Sequence, residues 1–460
     1  MTLVLGIDSS TQSTKALLVD AETGEMQDER RAAHPEGTEV DPRAWLDAVD
    51  EAAGPFLERA EALAVGGQQH GMVLLDEHGD VVRNALLWND TRSAPQAQAL
   101  IEEMGGPEQC VGEIGSLMVA SFTASKLRWV RDNEPDSAAR ARSVMLPHDY
   151  VSRHLAGGGD AFTDRGDASG TGYYSTRTET WVPELAERAL GHALDLPRLP
   201  STPQEVMART PGGAAISAGT GDNMGAALGL SLGPGDVSVS IGTSGVCAMV
   251  TDVRPDDASG TVTGFADATG RFLPMTTTIN ASRILEAGRA LLGVDHQELS
   301  RLALASEPGA GGVTLLPYFD GERTPNRPTA RATLTGMSAS TTREDVARAY
   351  VEGLLCSLAD GIAALEDVTG TAAARIVLIG GGARSRAVQE LAPAVFGREV
   401  EIAPSGEYVA LGAARQAAWA LAGTDEPPHW EITGSRTVGA EATPQVLAAY
   451  RELKERTEGW

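Results

Sequence analysis

One carboxylate stands alone among small residues near the midpoint of the chain. It is Asp222, in Ala218-Gly219-Thr220-Gly221-Asp222-Asn223-Met224-Gly225-Ala226-Ala227-Leu228-Gly229, where a β-like run at residues 214–217 gives way to a helix pattern. Glycines there let a substrate approach the backbone, and an aspartate so placed accepts a proton, holds a metal or caps the helix. A second acid, Asp8, follows an apolar run at residues 3–7 and opens a turn of Ser9, Ser10, Thr11, Gln12, Ser13 and Thr14. Hydroxyls and turn N–H groups can cradle phosphate oxygens, and Asp8 could hold a magnesium ion bridging them; the bland reading is a polar hairpin turn. Gly67-Gln68-Gln69-His70-Gly71 sets a histidine between two strand-like runs, open to a ligand or satisfied within the structure. Gly380-Gly381-Gly382-Ala383 follows the apolar run 374–379, where backbone N–H groups can face a flat ligand or a phosphate. No GxxxxGK[ST] and no GxGxxG occurs, so neither a P-loop nor a Rossmann fingerprint is supported.

The elements that must position these groups follow from periodicity and turn residues. Residues 3–7 and 14–20 form a hairpin around the Asp8 turn, and 22–25 are a second turn. After Pro234-Gly235, a hinge or linker, residues 236–241 and 246–250 repeat that hairpin around Gly242, Thr243 and Ser244. Two such hairpins, each opening half of the chain, point to duplicated domains facing each other. Helical patterns run over 42–64, 282–292, 343–368, 408–421 and 444–457, the last docked on the outside; strand patterns run over 264–279, 311–316 and 399–403. Between 104 and 180 the pattern loosens, and residues 163–172 read as a polar, glycine-rich loop that walls a substrate site or is a surface excursion.

A length of 460 residues predicts two or three domains, and 42% hydrophobic residues is ample for large cores. The formal charge of −26 argues against nucleic acid or an anionic membrane as partner. Lysine occurs only at Lys15, Lys126 and Lys454. Cys110, Cys247 and Cys356 are far apart, which fits a reducing cytosol and excludes a cysteine-built zinc site. The first eight residues are too short and uncharged for a signal peptide, and no apolar run approaches the ~20 residues of a membrane helix. The expected location is cytoplasmic.

Together these segments resemble the FGGY family of carbohydrate kinases from about residue 3 to about 422. Ser121-x-Thr123-x-x-Lys126-Leu127-x-Trp129-Val130 resembles the family's first signature. Ala332-x-Leu334-x-Gly336-Met337, continued through Asp345-Val346 to Val351-Glu352, resembles the second, with Tyr350 where a small or aliphatic residue is usual. The resemblance is greatest to the bacterial members that phosphorylate D-xylulose, through residues 67–71, 85–92, 146–150, 167–171 and 221–223. Gln69 stands where many of those members have Met and adds a hydrogen-bonding group; the Arg-Glu pair of glycerol-phosphorylating members is not found.

The resemblance implies an α/β fold of two actin/hexokinase/Hsp70-like (ribonuclease H-like) domains with a cleft between them. It implies residues 1–233 as the first domain, 234–425 as the second, and 426–460 as a tail with a terminal helix. It implies ATP-dependent phosphorylation of D-xylulose to D-xylulose 5-phosphate with Mg²⁺. Asp222 matches the catalytic base, and Asp8 the acid that acts through the metal. Thr11, Gln12 and Ser13 match the first phosphate loop, Gly242, Thr243 and Ser244 the second, and Gly380, Gly381, Gly382 and Ala383 the adenosine turn. Gln69 and His70 match the sugar-binding pair, with Asn223 and Trp88 as further candidates. The partner implied is a small-molecule sugar; related kinases are often homodimers. Kinases for another ketose or polyol (ribulose, a hexulose, gluconate) and a non-catalytic ATP- and sugar-binding sensor are the alternatives.

Overall fold

The computed structural model describes residues 1–459. The chain forms two compact units that do not follow chain order. The first comprises 1–232, 252–273 and 407–431, and the second 233–251, 274–406 and 432–460.

The first unit is built on a seven-stranded sheet. Leu3–Ser9, Ser13–Asp20 and Met26–Ala33 form an antiparallel meander, and Leu3–Ser9 also pairs in parallel with Ala62–Gly67. Ala62–Gly67 pairs in parallel with Ala215–Ser217 and with Thr220–Gly221, and Val206–Arg209 closes the far edge antiparallel. Alternation sorts the side chains. Leu5, Ile7, Leu18, Leu63 and Val65 face Trp45, Val49 and Phe56. Val4, Leu17, Val19, Ala62 and Ala64 face Ala410, Ala413, Ala414 and Ala417 of the Tyr408–Ala422 helix. Each fully buried Val, Leu or Ile among them stabilises by about 1.5–3 kcal/mol. The edge strand Met26–Ala33 is exposed and charged at Asp28, Glu29, Arg30 and Arg31, which discourages pairing with another chain.

The helix expected over residues 42–64 stops at Ala53. Gly54-Pro55 turns the chain through one tight turn, and residues 62–67 become the central strand, where burial on both faces outweighs their helix-compatible alanines. The expected loop 163–172 is instead buried and contains the single-turn helix Arg165–Ala168. Asp164 caps it, accepting from the Gly166 and Asp167 N–H groups at 2.8 and 3.0 Å.

The second unit repeats the same order of strand directions. Its hairpin Asp236–Ile241 and Gly245–Met249 pairs on one side with Phe272–Thr278. On the other, Arg375–Ile379 and Val400–Ile402 run parallel to Asp236–Ile241, and Arg436–Val438 closes the edge antiparallel. The echo between the two hairpins therefore extends to whole sheets. The 27-residue helix Arg343–Thr369 is the unit's axis, started by a Thr342–Asp345 capping box. Tyr350, the departure within the second signature, packs where Gly288 leaves room for its ring. The helix Pro444–Arg456 buries Val446, Tyr450 and Leu453, and Arg451 and Lys454 both reach Asp360. All three cysteines are free and buried, and no described helix is long and apolar enough to cross a membrane.

Candidate active site

Three parallel strands of the first unit end together. Asp8 is level with Gly66, and Gly66 with Thr220. Neighbouring strands lie ~4.8 Å apart, so the Asp8 and Thr220 backbones are about 10 Å apart across this edge. Asp222 is the first residue of the helix Asp222–Gly229 but not its cap, which is the extended Gly221. Gly219, at φ 85°, is pinned by Gln416, whose amide accepts from the Gly219 N–H at 3.1 Å and donates to its carbonyl at 2.7 Å. Gly229, which read as room for substrate, instead brings two helices together with Gly412 of the facing helix. A Cβ on Gly229 would lie 2.1 Å from the Tyr408 carbonyl oxygen, and one on Gly412 1.9 Å from that of Gly225.

Asn223 ties the site together. Its side-chain amide donates to Gln69 Oε1 and to Asp222 Oδ1, both at 2.9 Å. Burial pushes the Asp222 carboxyl up to about 7, the charges of Asp8 and Asp167 add to the rise, and the Asn223 N–H groups oppose it. Burial likewise raises Asp8 to about 6 against the pull of Lys15, whose Nζ lies 3.3 Å from Asp8 Oδ2 and 2.6 Å from Glu407 Oε2. Asp8 Oδ1 and Gln69 Nε2 are buried with no hydrogen-bond partner among the described residues.

His70 is held in the left-handed region, at φ 66°, a conformation that costs a non-glycine residue about 1–2 kcal/mol. Its Nδ1 lies 2.8 Å from the Gly170 carbonyl. A carbonyl only accepts, so Nδ1 carries a proton and donates it to Gly170. The ring stacks on Phe122 at 5.2 Å and lies 5.7 Å from Phe265. Trp88 is 43% exposed, and its indole N–H donates to Thr11 Oγ1 at 2.9 Å. Ser13 is buried in its strand, whereas Gln12 is exposed at the turn.

Beneath these residues lies a wholly buried charge cluster. His148 is 2.7 Å from Asp167, 3.1 Å from Asp149 and 3.9 Å from Asp164. Burial alone would favour the neutral imidazole, but the three carboxylates outweigh it and raise His148 to about 10. Asp167 also accepts the His70 main-chain N–H.

In the second unit, Gly242, Thr243 and Ser244 form the hairpin turn after Ile241. Gly380 and Gly382 abut Ile241: a Cβ on either would come within 3 Å of it. The two turns are therefore adjacent. Gly381 and Gly382 line a cavity of about 1210 Å³, bordered also by Ser282, Asp295, Ser300 and Arg384. Ala383 is buried behind it.

Sequence reading missed the roles of five residues. Lys15 was conspicuous only as a rare lysine, and the pairing of Asp8 with Lys15 across two antiparallel strands was its only signal. Lys126 and Thr123 carried the first signature but no role. His148 and Asp167 lay in segments of resemblance, yet their meeting depends on a fold contact between positions 19 residues apart.

The N-terminal domain of the FGGY family of carbohydrate kinases matches residues 3–229, and its C-terminal domain residues 237–421. The chain is 45% identical to xylulose kinase of Streptomyces rubiginosus over 459 residues, covering 95% of this chain and 92% of that protein. It is similar to the crystal structure of xylulose kinase from Bifidobacterium adolescentis, with a TM-score of 0.92 and 47% identity, over 98% of this chain and 99% of that one. Gluconate kinase from Lactobacillus acidophilus, at 22% identity and a TM-score of 0.87 over 99% of this chain and 97% of that one, shares the fold. With both domains matched in order over nearly the whole chain, and with the two-domain actin/hexokinase-like fold they share, this protein belongs to the FGGY family of carbohydrate kinases and is a phosphotransferase that uses ATP.

Proposed function

We propose that the protein phosphorylates D-xylulose to D-xylulose 5-phosphate. The observation that carries this reading is the buried Gln69 amide nitrogen, which has no acceptor among the described residues and lies beside the Asn223–Asp222 pair and His70. A buried donor without a partner is costly, and a sugar hydroxyl would satisfy it. The extent of similarity to xylulose kinases supports the choice of sugar.

In this reading Asp222 accepts the proton of the sugar's terminal hydroxyl as its oxygen bonds to the γ-phosphorus. The bond from that phosphorus to the β–γ bridging oxygen breaks, and ADP leaves. A carboxyl raised to about 7 is suited to taking a proton near neutral pH. Gln69 and His70 hold the sugar, assisted by Asn223 and Trp88. Thr11, Gln12 and Ser13, with Gly242, Thr243 and Ser244, hold phosphates through hydroxyl and N–H groups, and the turn Gly380–Ala383 holds adenosine.

Asp8 is assigned to Mg²⁺. Its unpartnered Oδ1 is a hard oxygen donor, and no group of three or more His, Cys, Asp or Glu is placed to hold a metal among the described residues. One carboxylate completed by phosphate and water oxygens is a usual magnesium shell, and the ion would supply charge neutralisation.

Drawn by role rather than packing, residues 1–233 carry the sugar site, first phosphate loop and base, 234–425 the second loop and adenosine turn, and 426–460 a tail. A cytoplasmic location and a homodimer belong to the same proposal. Sedimentation velocity tests the latter.

An ADP-coupled assay across D-xylulose, ribulose, hexuloses and gluconate tests the substrate. D-xylulose is expected to give the highest kcat/KM, with Asp222→Ala losing at least about 10²-fold in kcat. Binding of ATP and sugar with no ADP released would replace the kinase by a sensor.

A further inference from the structure

We propose that Lys126 is a positioning residue of the sugar site, acting with Thr123 to clamp the main chain of His70. Lys126 is fully buried, and its Nζ donates to the His70 carbonyl at 2.8 Å and to the Ser121 carbonyl. Thr123 Oγ1 donates to the same His70 oxygen at 3.3 Å. That oxygen belongs to the residue held at φ 66°. A left-handed histidine persists only where its surroundings over-determine it, and here they do. The carbonyl is held by Lys126 and Thr123, the N–H by Asp167, the ring nitrogen by Gly170 and the ring face by Phe122.

A buried lysine is an expensive way to make structure alone. Among the described residues, Lys126 has no carboxylate within ion-pair distance, and the more distant charge of Asp90 favours its ammonium form. Burial lowers it to about 7. Both the ammonium and the amine keep N–H donors, so the clamp holds across that titration. The first family signature thus supplies the two donors that fix His70, while its aromatic neighbour Phe122 fixes the ring.

The proposal rests on the reading of His70 as a sugar ligand, and the experiment separates the two. Lys126→Met, Thr123→Val, Thr123→Ser and His70→Ala are assayed for KM with D-xylulose and with ATP, after circular dichroism establishes folding. Lys126→Met is expected to raise the sugar KM about 10- to 100-fold and Thr123→Val about 3- to 10-fold, with the ATP KM within about twofold. Thr123→Ser restores the hydroxyl and recovers most of the Thr123→Val loss. In a His70→Ala background, Lys126→Met adds little further change, since one acts through the other. Should Lys126→Met not fold, Thr123→Val and its serine rescue carry the test. A strong His70→Ala effect with both clamp variants silent overturns the clamp alone, as does an undiminished Lys126→Met effect in the His70→Ala background. A silent His70→Ala overturns the reading of His70, and the clamp with it.

Discussion

His148 Nδ1 and Asp167 Oδ2 meet at 2.7 Å with both side chains wholly buried. Because Asp167 also takes the His70 main-chain N–H, this contact links a buried cation to the floor of the proposed sugar site.

Replacing that cation has a cost that depends on pH. His148→Gln leaves Asp149, Asp164 and Asp167 buried without a counter-charge, and breaking a buried pair in this way costs about 3–5 kcal/mol. The histidine is raised in the folded state, so its stabilisation is full below about 6.5 and is lost as pH rises through about 10. Asp149 is raised to about 7 and Asp164 and Asp167 to about 6, so above about pH 7.5 the three acids are ionised beside His148. Urea unfolding of both proteins at pH 8 and pH 10 is expected to show a gap that narrows at the higher pH. A gap of equal size at both would contradict a charged His148.

Asn223→Asp adds a negative charge where the amide now donates to Asp222 and Gln69. Like charges raise one another, so Asp222 moves above its present value of about 7. The acidic limb of the kcat–pH profile, which rises as the base loses its proton, is expected to shift to higher pH and kcat at pH 7 to fall. A limb that stays in place would separate Asp222 from the rate.

Gly381 is helical, at φ −62°, and a Cβ there meets nothing closer than the Arg384 side chain at 3.8 Å. Gly381→Leu should therefore fold normally while filling the cavity beside it. The expected result is an ATP KM raised about tenfold or more, as occlusion of a ligand contact by 1–3 kcal/mol would give, with the sugar KM little changed. Equal effects on both substrates would argue against an adenosine site there.

Gly412→Ala tests the support of Asp222 from behind. The new methyl would sit 1.9 Å from the Gly225 carbonyl oxygen, against backbone that cannot rotate away. Overpacking of this kind costs about 1–3 kcal/mol or more, and Asp222, the proposed base, should be displaced with the helix. Both the midpoint of thermal unfolding and kcat should drop; an unchanged midpoint would mean that the two helices are free to separate.

How far the sequence could be read depended on whether each feature was local. The hairpin around Asp8, the helix Ser282–Leu292 and the long helix from Arg343 were legible because alternation, helical stripes and caps are written within a few residues. The strand Ala62–Gly67 was partly lost to a helix because alanines carry no strand preference and only burial on two faces decides them. Residues 163–172 look like a solvated loop until His148 is known to neutralise their acids. Among the site residues, Asp8 and Asp222 were visible as acids at strand ends. The clamp on His70 was not, since its donors come from a helix more than fifty residues away.

The helix Tyr408–Ala422 covers one face of a sheet whose strands come from the first 221 residues. During synthesis that sheet must wait, with Val4, Leu17 and Val19 uncovered, until the ribosome has added everything from Leu232 to Glu407 and beyond. At roughly 5–20 residues per second this interval is about 10–40 s. A nascent chain in that interval presents an oily sheet face with no cover, which makes it a natural client for chaperones and exposes it to aggregation if translation stalls. A fragment ending near residue 232 should share that fate permanently.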